Sequence, residues 1–182
     1  SVCIQFDDIK ALKQMELREI ITGKQVVYIY HNQIDARGDK LSTENEVFSA
    51  CQEAVKEIID LIHRIAVGAN TIHFIVTADH GFIYKRDKVT ESGKIGGVSD
   101  KGAFVNRRFI VSSAPVVDNG IAHMRMGTVL RNNDSKVVSF PVGSNVFKVA
   151  GGGQNYVHGG SSLQEMLVPV IDIRMEKGHI ET

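Results

Sequence analysis

The feature that most constrains the fold is a long helical pattern between two short runs of β-forming residues. Apolar side chains recur at helical spacing over residues 47–66, and a glycine and an asparagine follow as ending signals. Residues 26–30 before this pattern and residues 72–76 after it are rich in β-branched and aromatic side chains. Strand, helix and strand in this order predict a βαβ unit, whose two strands would pair in parallel.

Two further segments carry helix signals, one directly before the long helix and one near the start of the chain. Residues 43–46 read Thr-Glu-Asn-Glu, the form of a capping box with Thr43 as the N-cap and Glu46 at the third position. Near the start of the chain, Asp7 and Asp8 precede apolar residues at helical spacing as far as Ile21, which predicts a further helix.

Each predicted strand of the βαβ unit ends in polar residues. Residues 31–39 follow the first strand, and Asp79, His80 and Gly81 follow the second. Because the carboxyl ends of parallel strands meet at one edge of a sheet, we expect Asp35 and Asp79 to be neighbours in space. A carboxylate beside an imidazole suits Zn²⁺ or Mn²⁺. The alternative is a strand that simply stops at a polar turn.

The second half of the chain predicts shorter elements. Residues 85–102 are polar and contain glycine without periodicity, which is typical of a surface excursion. Residues 104–111, 128–130 and 137–140 have the composition of short antiparallel strands. Together they predict a small accessory sheet, inserted at about residues 85–150.

The last third contains a stretch with almost no apolar side chains, residues 151–160. Its three glycines at residues 151–153 are a candidate to cradle phosphate through backbone amides. Because they follow no good strand and open no clear helix, we interpret them instead as a flexible loop. Ser161 or Ser162 is placed to cap a short helix, with Glu165 near its third position. Residues 167–173 predict a closing strand in which the proline is tolerated near the start or on an edge.

The composition narrows the function classes. The 182 residues suit one domain, and 21 basic against 21 acidic residues leave no electrostatic footprint for nucleic acid or membrane. No apolar run is long enough to span a bilayer, so the cytoplasm is the expected compartment. Cys3 and Cys51 have no metal-binding or redox spacing. Because the chain starts at Ser1, we expect a piece of a longer protein.

Three places in the sequence carry candidate metal ligands. Asp35 and Asp39 are four residues apart around a glycine, Asp79 and His80 are adjacent, and His158 lies in the glycine-rich stretch. Two metal ions about 4 Å apart can clamp a phosphoryl group, which requires carboxylate and imidazole ligands from several loops. His63 and His73 are interpreted as structural or surface residues, since one lies on the long helix and the other flanks a strand.

Three motifs resemble a known family. Residues 77–81, Thr-Ala-Asp-His-Gly, look like the metal-ligand motif of the alkaline phosphatase superfamily, which includes cofactor-independent phosphoglycerate mutases, phosphopentomutases and sulfatases. A more particular similarity, to the PglZ domain, is carried by three separate strings. These are residues 28–39 (YIYHNQIDARGD), 76–84 (VTADHGFIY), which contain the first motif, and 158–166 (HGGSSLQEM). The similarity is greatest to its type A branch, which is associated with bacteriophage exclusion (BREX) defence systems.

The resemblance implies a set of ligands. Asp79 and His80 would hold one metal ion, and Asp35, Asp39 and His158 would hold the other. Many members of the superfamily carry histidine at the position of Asp39. A carboxylate there hardens the site, so Mn²⁺ or Mg²⁺ stand as alternatives to Zn²⁺, which is the first expectation.

The resemblance also implies what this chain would lack. The superfamily has a serine or threonine nucleophile and a further metal-binding aspartate well before the position of Asp35, and nothing in the preceding 34 residues matches them. No catalytic nucleophile is therefore assigned in this chain. His31 is a candidate to support a metal ligand or is structural, and Lys85 and Arg86 are candidates to meet substrate anions or are solvated charges.

These observations predict an α/β fold with a mostly parallel sheet flanked by helices, alkaline phosphatase-like, truncated at its N-terminus and carrying a small antiparallel insertion. Residues 1–182 would be the C-terminal part of a metal-dependent phosphatase or phosphodiesterase of a BREX system. Its substrate would be a phosphate ester or nucleotide-type molecule, and other BREX proteins are expected partners. The alternative is a metal-binding or structural interaction module without turnover.

Overall fold

The computed structural model describes residues 1–87, 89–96, 100–149 and 155–176, and the chain in it divides into two compact units. The first unit comprises residues 1–38, residues 45–77 and the chain from Pro169 onward. The second comprises residues 39–44 and 78–168. The predicted flexible loop at residues 151–153 lies outside the described residues.

The first unit contains four helices and four strands among its described residues. In chain order they are β1 (Val2–Gln5), α1 (Phe6–Lys10), α2 (Gln14–Ile21), β2 (Val27–Tyr30), α3 (Gln33–Gly38), α4 (Val47–Ala69), β3 (His73–Thr77) and β12 (Val170–Arg174). Buried apolar side chains of α1, α2 and α4 form its core, with partly buried residues of the strands packed against them.

The strands of this unit pair differently from the βαβ prediction. Strand β2 pairs in parallel with β1, with Val2 opposite Val27, and β3 pairs antiparallel with β12. Direct pairing between β2 and β3 is not found among the described residues. The pairs β1–β2 and β3–β12 form two separate two-stranded sheets.

Helix α4 confirms the predicted long helix and corrects its ends. The helix continues to Ala69 and ends at Asn70, whose left-handed backbone (φ 52°) closes it. Gly68 therefore lies inside the helix, where a Cβ would come within 3.2 Å of the Gln14 side chain. The predicted capping box at Thr43 is wrong, because Glu44–Glu46 form a 3₁₀ turn and the N-cap is Glu46 without a side-chain bond.

The predicted helix that ends at Ile21 is two helices, α1 and α2. The backbone N–H of Leu12 bonds back to Ile9, and the N–H of Lys13 donates to the Glu16 carboxylate at 2.7 Å. The Glu16 carboxylate, in the first turn of α2, thus accepts the backbone N–H of Lys13, which would otherwise be unpaired.

The second unit is built from short strands. Its described elements are β4 (Ile83–Tyr84), β5 (Lys94–Ile95), β6 (Phe104–Val105), β7 (Ile110–Ser112), β8 (Ile121–Arg125), α5 (Met126–Leu130), β9 (Val137–Pro141), β10 (Val146–Phe147), β11 (Tyr156–Val157) and α6 (Leu163–Met166). Strands β6, β7, β9 and β8 form a four-stranded antiparallel sheet. Strand β4 pairs antiparallel with β11, and β5 pairs in parallel with β10.

The prediction of a strand at residues 128–130 is wrong, because these residues belong to helix α5. The N–H of Met126 bonds to the carbonyl of Lys136 at 2.8 Å, and Gly127 bonds to Asp134 at 3.1 Å. These bonds turn the chain back towards β9. Arg131, with a φ of 53°, ends the helix. Strand β8 was not predicted.

The α/β class is thus confirmed, while the sheets are small and mixed. The mostly parallel sheet and the truncated N-terminus stay predictions. Within the described part of the chain, no helix has both the length and the apolar character that a membrane span requires.

Candidate metal centre

A short antiparallel ladder in the second unit brings two predicted ligands together. Tyr156 pairs with Tyr84, and Val157 pairs with Ile83. In an antiparallel pair, the residues that precede one strand lie at the same end as those that follow the other. His80 precedes β4 and His158 follows β11, so both histidines are placed at one end of this ladder.

The two imidazole rings are in direct contact. Their centroids are 4.3 Å apart, and their planes are 4° from parallel. Nε2 of His158 lies 3.5 Å from Oδ1 of Asp39. Two ligands at ordinary Zn–N and Zn–O lengths in a tetrahedral site are about 3.3 Å apart, so this separation fits two ligands of one ion. His158 therefore lies beside both His80 and Asp39, and these three residues are candidate metal ligands.

The His80 ring is oriented by its own loop. Its Nδ1 lies 3.0 Å from the backbone carbonyl oxygen of Gly81. A carbonyl oxygen only accepts, so Nδ1 is the donor and Nε2 of the neutral ring carries the lone pair. Metal-binding histidines commonly donate their other ring N–H to a carbonyl or carboxylate in this way. The ring is also partly shielded, with 28% of its side chain exposed.

Asp79 lies at the open side of the same loop. Its side chain is 87% exposed, and Oδ1 accepts the backbone N–H of His80 at 3.0 Å. The same oxygen lies 3.8 Å from Nε2 of His80. The carboxylate therefore stabilises the turn and remains accessible from solvent.

Asp35 belongs to the first unit. It lies in the first turn of α3, so the predicted polar loop at residues 31–39 is largely helical. The helix begins as the N–H of Ala36 bonds to the carbonyl of Asn32 at 3.1 Å. Asp39 follows the last residue of α3 and is counted with the second unit, as are Asp79, His80 and His158.

The three residues predicted to support the site have the following contacts. His31 lies in the first unit, where Nε2 is 3.0 Å from Glu57 and the ring packs on Phe6. Lys85 donates to the backbone carbonyl of Ser144 at 2.8 Å. Burial lowers the pKa of its ammonium group, and the positive charge of Arg108 lowers it further. Arg86 is exposed, and its backbone carbonyl accepts the side-chain amide of Asn155.

Glu165 connects the two histidine loops. Its backbone carbonyl accepts the N–H of Gly81 at 2.9 Å, and its carboxylate accepts the N–H of Gly160 at 2.9 Å. The same carboxylate accepts both the N–H and the hydroxyl of Ser162, which confirms the predicted cap at the start of α6. The glycine at position 81 is required by close approach, because a Cβ there would lie 2.0 Å from the Gln164 carbonyl oxygen.

The carboxylate of Glu165 is itself held by Arg108. The pair is bidentate, with Nε–Oε1 and Nη2–Oε2 distances of 2.8 Å, and neither side chain is more than 2% exposed. Burial alone would raise the pKa of Glu165, but the bonds from Arg108, Ser162 and Gly160 outweigh it and lower the pKa to about 2. Sequence reasoning missed Arg108, because it lay inside the predicted strand at residues 104–111 and belongs to none of the family motifs. In the structure that segment is two strands, β6 and β7, and Arg108 lies between them.

Comparison with known families identifies the class of domain that this chain forms. The family model described as the BREX system PglZ alkaline phosphatase-like domain matches residues 1–173. The chain therefore belongs to the class of alkaline phosphatase-like domains. Within that class, the chain is a member of the PglZ family, which confirms the resemblance drawn from the three motifs.

Two curated proteins show the same relationship. The chain is 42% identical over 182 residues to the alkaline phosphatase-like protein PglZ of Bacillus cereus (strain H3081.97), covering 97% of the chain and 21% of that protein. It is 34% identical over 175 residues to the alkaline phosphatase-like protein BrxZ of Escherichia coli O9:H4 (strain HS), covering 95% and 20%. The chain thus spans about one fifth of the length of these relatives.

Proposed function

We propose that this chain forms the C-terminal portion of a metal-dependent phosphatase or phosphodiesterase of a BREX phage-defence system, in the type A branch of the family. The observation that carries the proposal is the contact of His158 with both His80 and Asp39. Membership in an alkaline phosphatase-like family supports it. So do the names of the two relatives, both of which are described as alkaline phosphatase-like.

The proposed ligands are those that the sequence predicted. His80, His158 and Asp39 form the candidate centre, and Asp35 and Asp79 are proposed to complete the ligand set. Zn²⁺ is the first choice because two imidazoles favour it, while the carboxylates keep Mn²⁺ and Mg²⁺ as alternatives. A bound ion would supply a Lewis acid that stabilises charge on a phosphoryl oxygen.

The chain's own residues would prepare the site for that ion. Gly81 accepts the Nδ1 proton of His80, so that Nε2 is presented as a ligand atom. Asp39 lies beside Nε2 of His158 and adds a hard oxygen. The Asp79 side chain is mostly exposed, so it would contact the ion from the solvent-facing side of the site. These groups bind and orient, and none of them is proposed as the nucleophile.

Substrate, partners and location are proposed at the level of the whole protein. The substrate would be a phosphate ester or nucleotide-type molecule whose anionic groups meet Lys85 and Arg86, with His31 in a supporting place. The attacking nucleophile would belong to sequence outside this chain. Other BREX components are proposed partners, and the cytoplasm is the proposed compartment.

A non-catalytic role is the second candidate. The ion pair of His158 with Asp39 and the stack of His158 on His80 also hold two loops together without any metal. A metal-binding or purely structural module that contacts other defence proteins would need no more than this.

Metal titration tests the proposed site. Calorimetry with Zn²⁺ and, separately, Mn²⁺ would be run on the protein as its gene encodes it, on an Asp39→Ala/His158→Ala double variant and on Asp35→Ala. We expect the double variant to lose at least about 10- to 100-fold in affinity and Asp35→Ala to bind more weakly than wild type. His63→Ala, at an exposed position of α4, is the matched control and should bind as wild type does. Equal binding by wild type and the double variant would refute the proposed site.

A further inference from the structure

We propose that the buried ion pair between Arg108 and Glu165 is a positioning device that sets the spacing of His80 and His158 for metal binding. The inference rests on the proposed function, because it takes those two histidines as ligands. Neither Arg108 nor Glu165 touches the candidate ligand atoms in the contacts described above. Both act through the backbone of the loops that carry them.

The first step is the anchoring of Arg108 to the accessory sheet. Its guanidinium donates to the backbone carbonyl of Gly143 at 2.9 Å and to that of Asn145, both in the turn after β9. Its own N–H donates to the side chain of Asn106 at 3.0 Å. The side chain is fully buried, so its position is fixed by these bonds and by the surrounding packing.

The second step is the transfer of that position to both histidine loops. Glu165 receives two bonds from Arg108 and one from the N–H of Gly160, which lies two residues after His158. The backbone carbonyl of Glu165 receives the N–H of Gly81, which directly follows His80. One residue therefore contacts a backbone neighbour of each histidine, and Arg108 determines where that residue lies.

The third step is steric. A Cβ on Gly160 would lie 2.6 Å from Nη2 of Arg108, and one on Gly81 would lie 2.0 Å from the carbonyl oxygen of Gln164. Gly160 thus lies directly against the Arg108–Glu165 pair, and Gly81 lies directly against the backbone next to Glu165. A shift of either charged group would displace both loops, and with them the 4.3 Å spacing of the imidazole rings.

Arg108→Lys tests this role because it keeps the buried charge and removes the planar fork. A lysine ammonium cannot reproduce two parallel bonds to Glu165 together with those to Gly143 and Asn145. We expect the folded variant, in the protein as its gene encodes it, to bind Zn²⁺ about 10- to 100-fold more weakly than wild type. Zn²⁺ affinity would be measured by calorimetry well below the melting temperature of each protein.

The matched control separates positioning from general stability. Ile95→Ala removes a buried side chain from the cluster of Ile95, Ile110 and Phe147 without touching the bonds of Glu165. It should lower the melting temperature and leave the Zn²⁺ affinity unchanged. The proposal is overturned if folded Arg108→Lys binds Zn²⁺ as wild type does, or if Ile95→Ala loses as much affinity for the same loss of melting temperature.

A second variant covers the case in which Arg108→Lys does not fold. The Arg108→Gln/Glu165→Gln double variant removes both charges together, so no buried charge is left without a partner. The same loss of Zn²⁺ affinity is expected, and unchanged affinity overturns the proposal. If neither variant folds, the pair is a folding determinant and the positioning role is refuted. Failure of the wild-type protein to take up Zn²⁺ would refute the proposed function itself, and the positioning role with it.

Discussion

The imidazole rings of His80 and His158 lie face to face, with their centroids 4.3 Å apart and their planes 4° from parallel. Among the described residues, the ladder that brings them together, β4 with β11, contains two residue pairs. So short a ladder contributes few backbone hydrogen bonds, and the spacing of the rings depends on further contacts. The bonds of Glu165 to the loops of both histidines supply such contacts.

Gly81→Ala should damage the fold and the site together. The added Cβ would lie 2.0 Å from the Gln164 carbonyl oxygen, so the backbone would have to move and the bond from Gly81 to Glu165 would break. Overpacking and a lost buried hydrogen bond together predict a loss of about 2–4 kcal/mol in the free energy of unfolding. Urea denaturation measures it, and Zn²⁺ affinity should fall in the same variant.

Gly143→Ala is the control for that substitution. A Cβ at Gly143 would meet nothing within 4 Å, and its carbonyl would still accept the bond from Arg108. The free energy of unfolding should therefore change little. A Gly81→Ala protein as stable as Gly143→Ala would show that the approach of the two loops is looser than described.

Stability should fall in acid as Glu165 becomes protonated. Its pKa is held at about 2 in the folded protein against an ordinary value of 4.5, because the bonds that favour the carboxylate outweigh the effect of burial. Because its pKa is lower in the folded protein than in the unfolded chain, ionised Glu165 stabilises the fold fully above pH 4.5. This contribution is lost as the pH falls from 4.5 towards 2. Each pKa unit corresponds to about 1.4 kcal/mol, so the contribution at neutral pH is on the order of 3 kcal/mol.

Comparison of wild type with Glu165→Gln isolates this carboxylate. The difference between their free energies of unfolding should be large at pH 7 and should narrow as the pH is lowered below 4.5. Glu91→Gln is the control, since hydrogen bonds from Lys148 and Lys94 also lower the pKa of Glu91 to about 2 while its side chain is 72% exposed. Exposed ion pairs contribute little, so this variant should follow the wild-type pH profile. A difference for Glu165→Gln that stays constant with pH would contradict the assignment.

Asp39→His should change the metal preference. The substitution replaces a hard carboxylate oxygen beside Nε2 of His158 with a further imidazole, and imidazole ligands favour Zn²⁺ over Mn²⁺. We expect the ratio of Zn²⁺ to Mn²⁺ affinity to rise about tenfold, which corresponds to about 1.4 kcal/mol. Competition titration with both ions measures the ratio. An unchanged ratio would remove Asp39 from the proposed ligand set.

The elements that sequence reasoning predicted well are those determined by local pattern. The apolar period of α4 and the cap of α6 by Ser162 and Glu165 depend on residues close together in the chain, and both are confirmed. Helix α5 was predicted as a strand because the short apolar run at residues 128–130 carries no clear period. Its conformation is decided by bonds from Met126 and Gly127 to residues after the turn.

The network behind the histidines could not be read from local pattern. The partner of Arg108 is Glu165, 57 positions away in the chain, and only the fold reveals that both are buried. Asp79, His80 and His158 were predicted as ligands because they lie within short sequence motifs of the family. Arg108 belongs to no such motif and lay inside a predicted strand, and charged residues are almost always solvated unless a partner is found.

The last prediction concerns activity. Catalysis of the proposed type requires a nucleophile that attacks phosphorus, and no residue of this chain is proposed for that role. Loss of one essential catalytic group usually costs several orders of magnitude in rate. We therefore expect residues 1–182 alone to hydrolyse p-nitrophenyl phosphate and bis-p-nitrophenyl phosphate no faster than buffer containing the same metal.

The protein as its gene encodes it should be active in the same assay, and His80→Ala or His158→Ala should abolish that activity while His63→Ala does not. Turnover by residues 1–182 that Asp79→Ala abolishes would show that the nucleophile lies within this chain. Metal binding without turnover by the complete protein would instead favour the non-catalytic module.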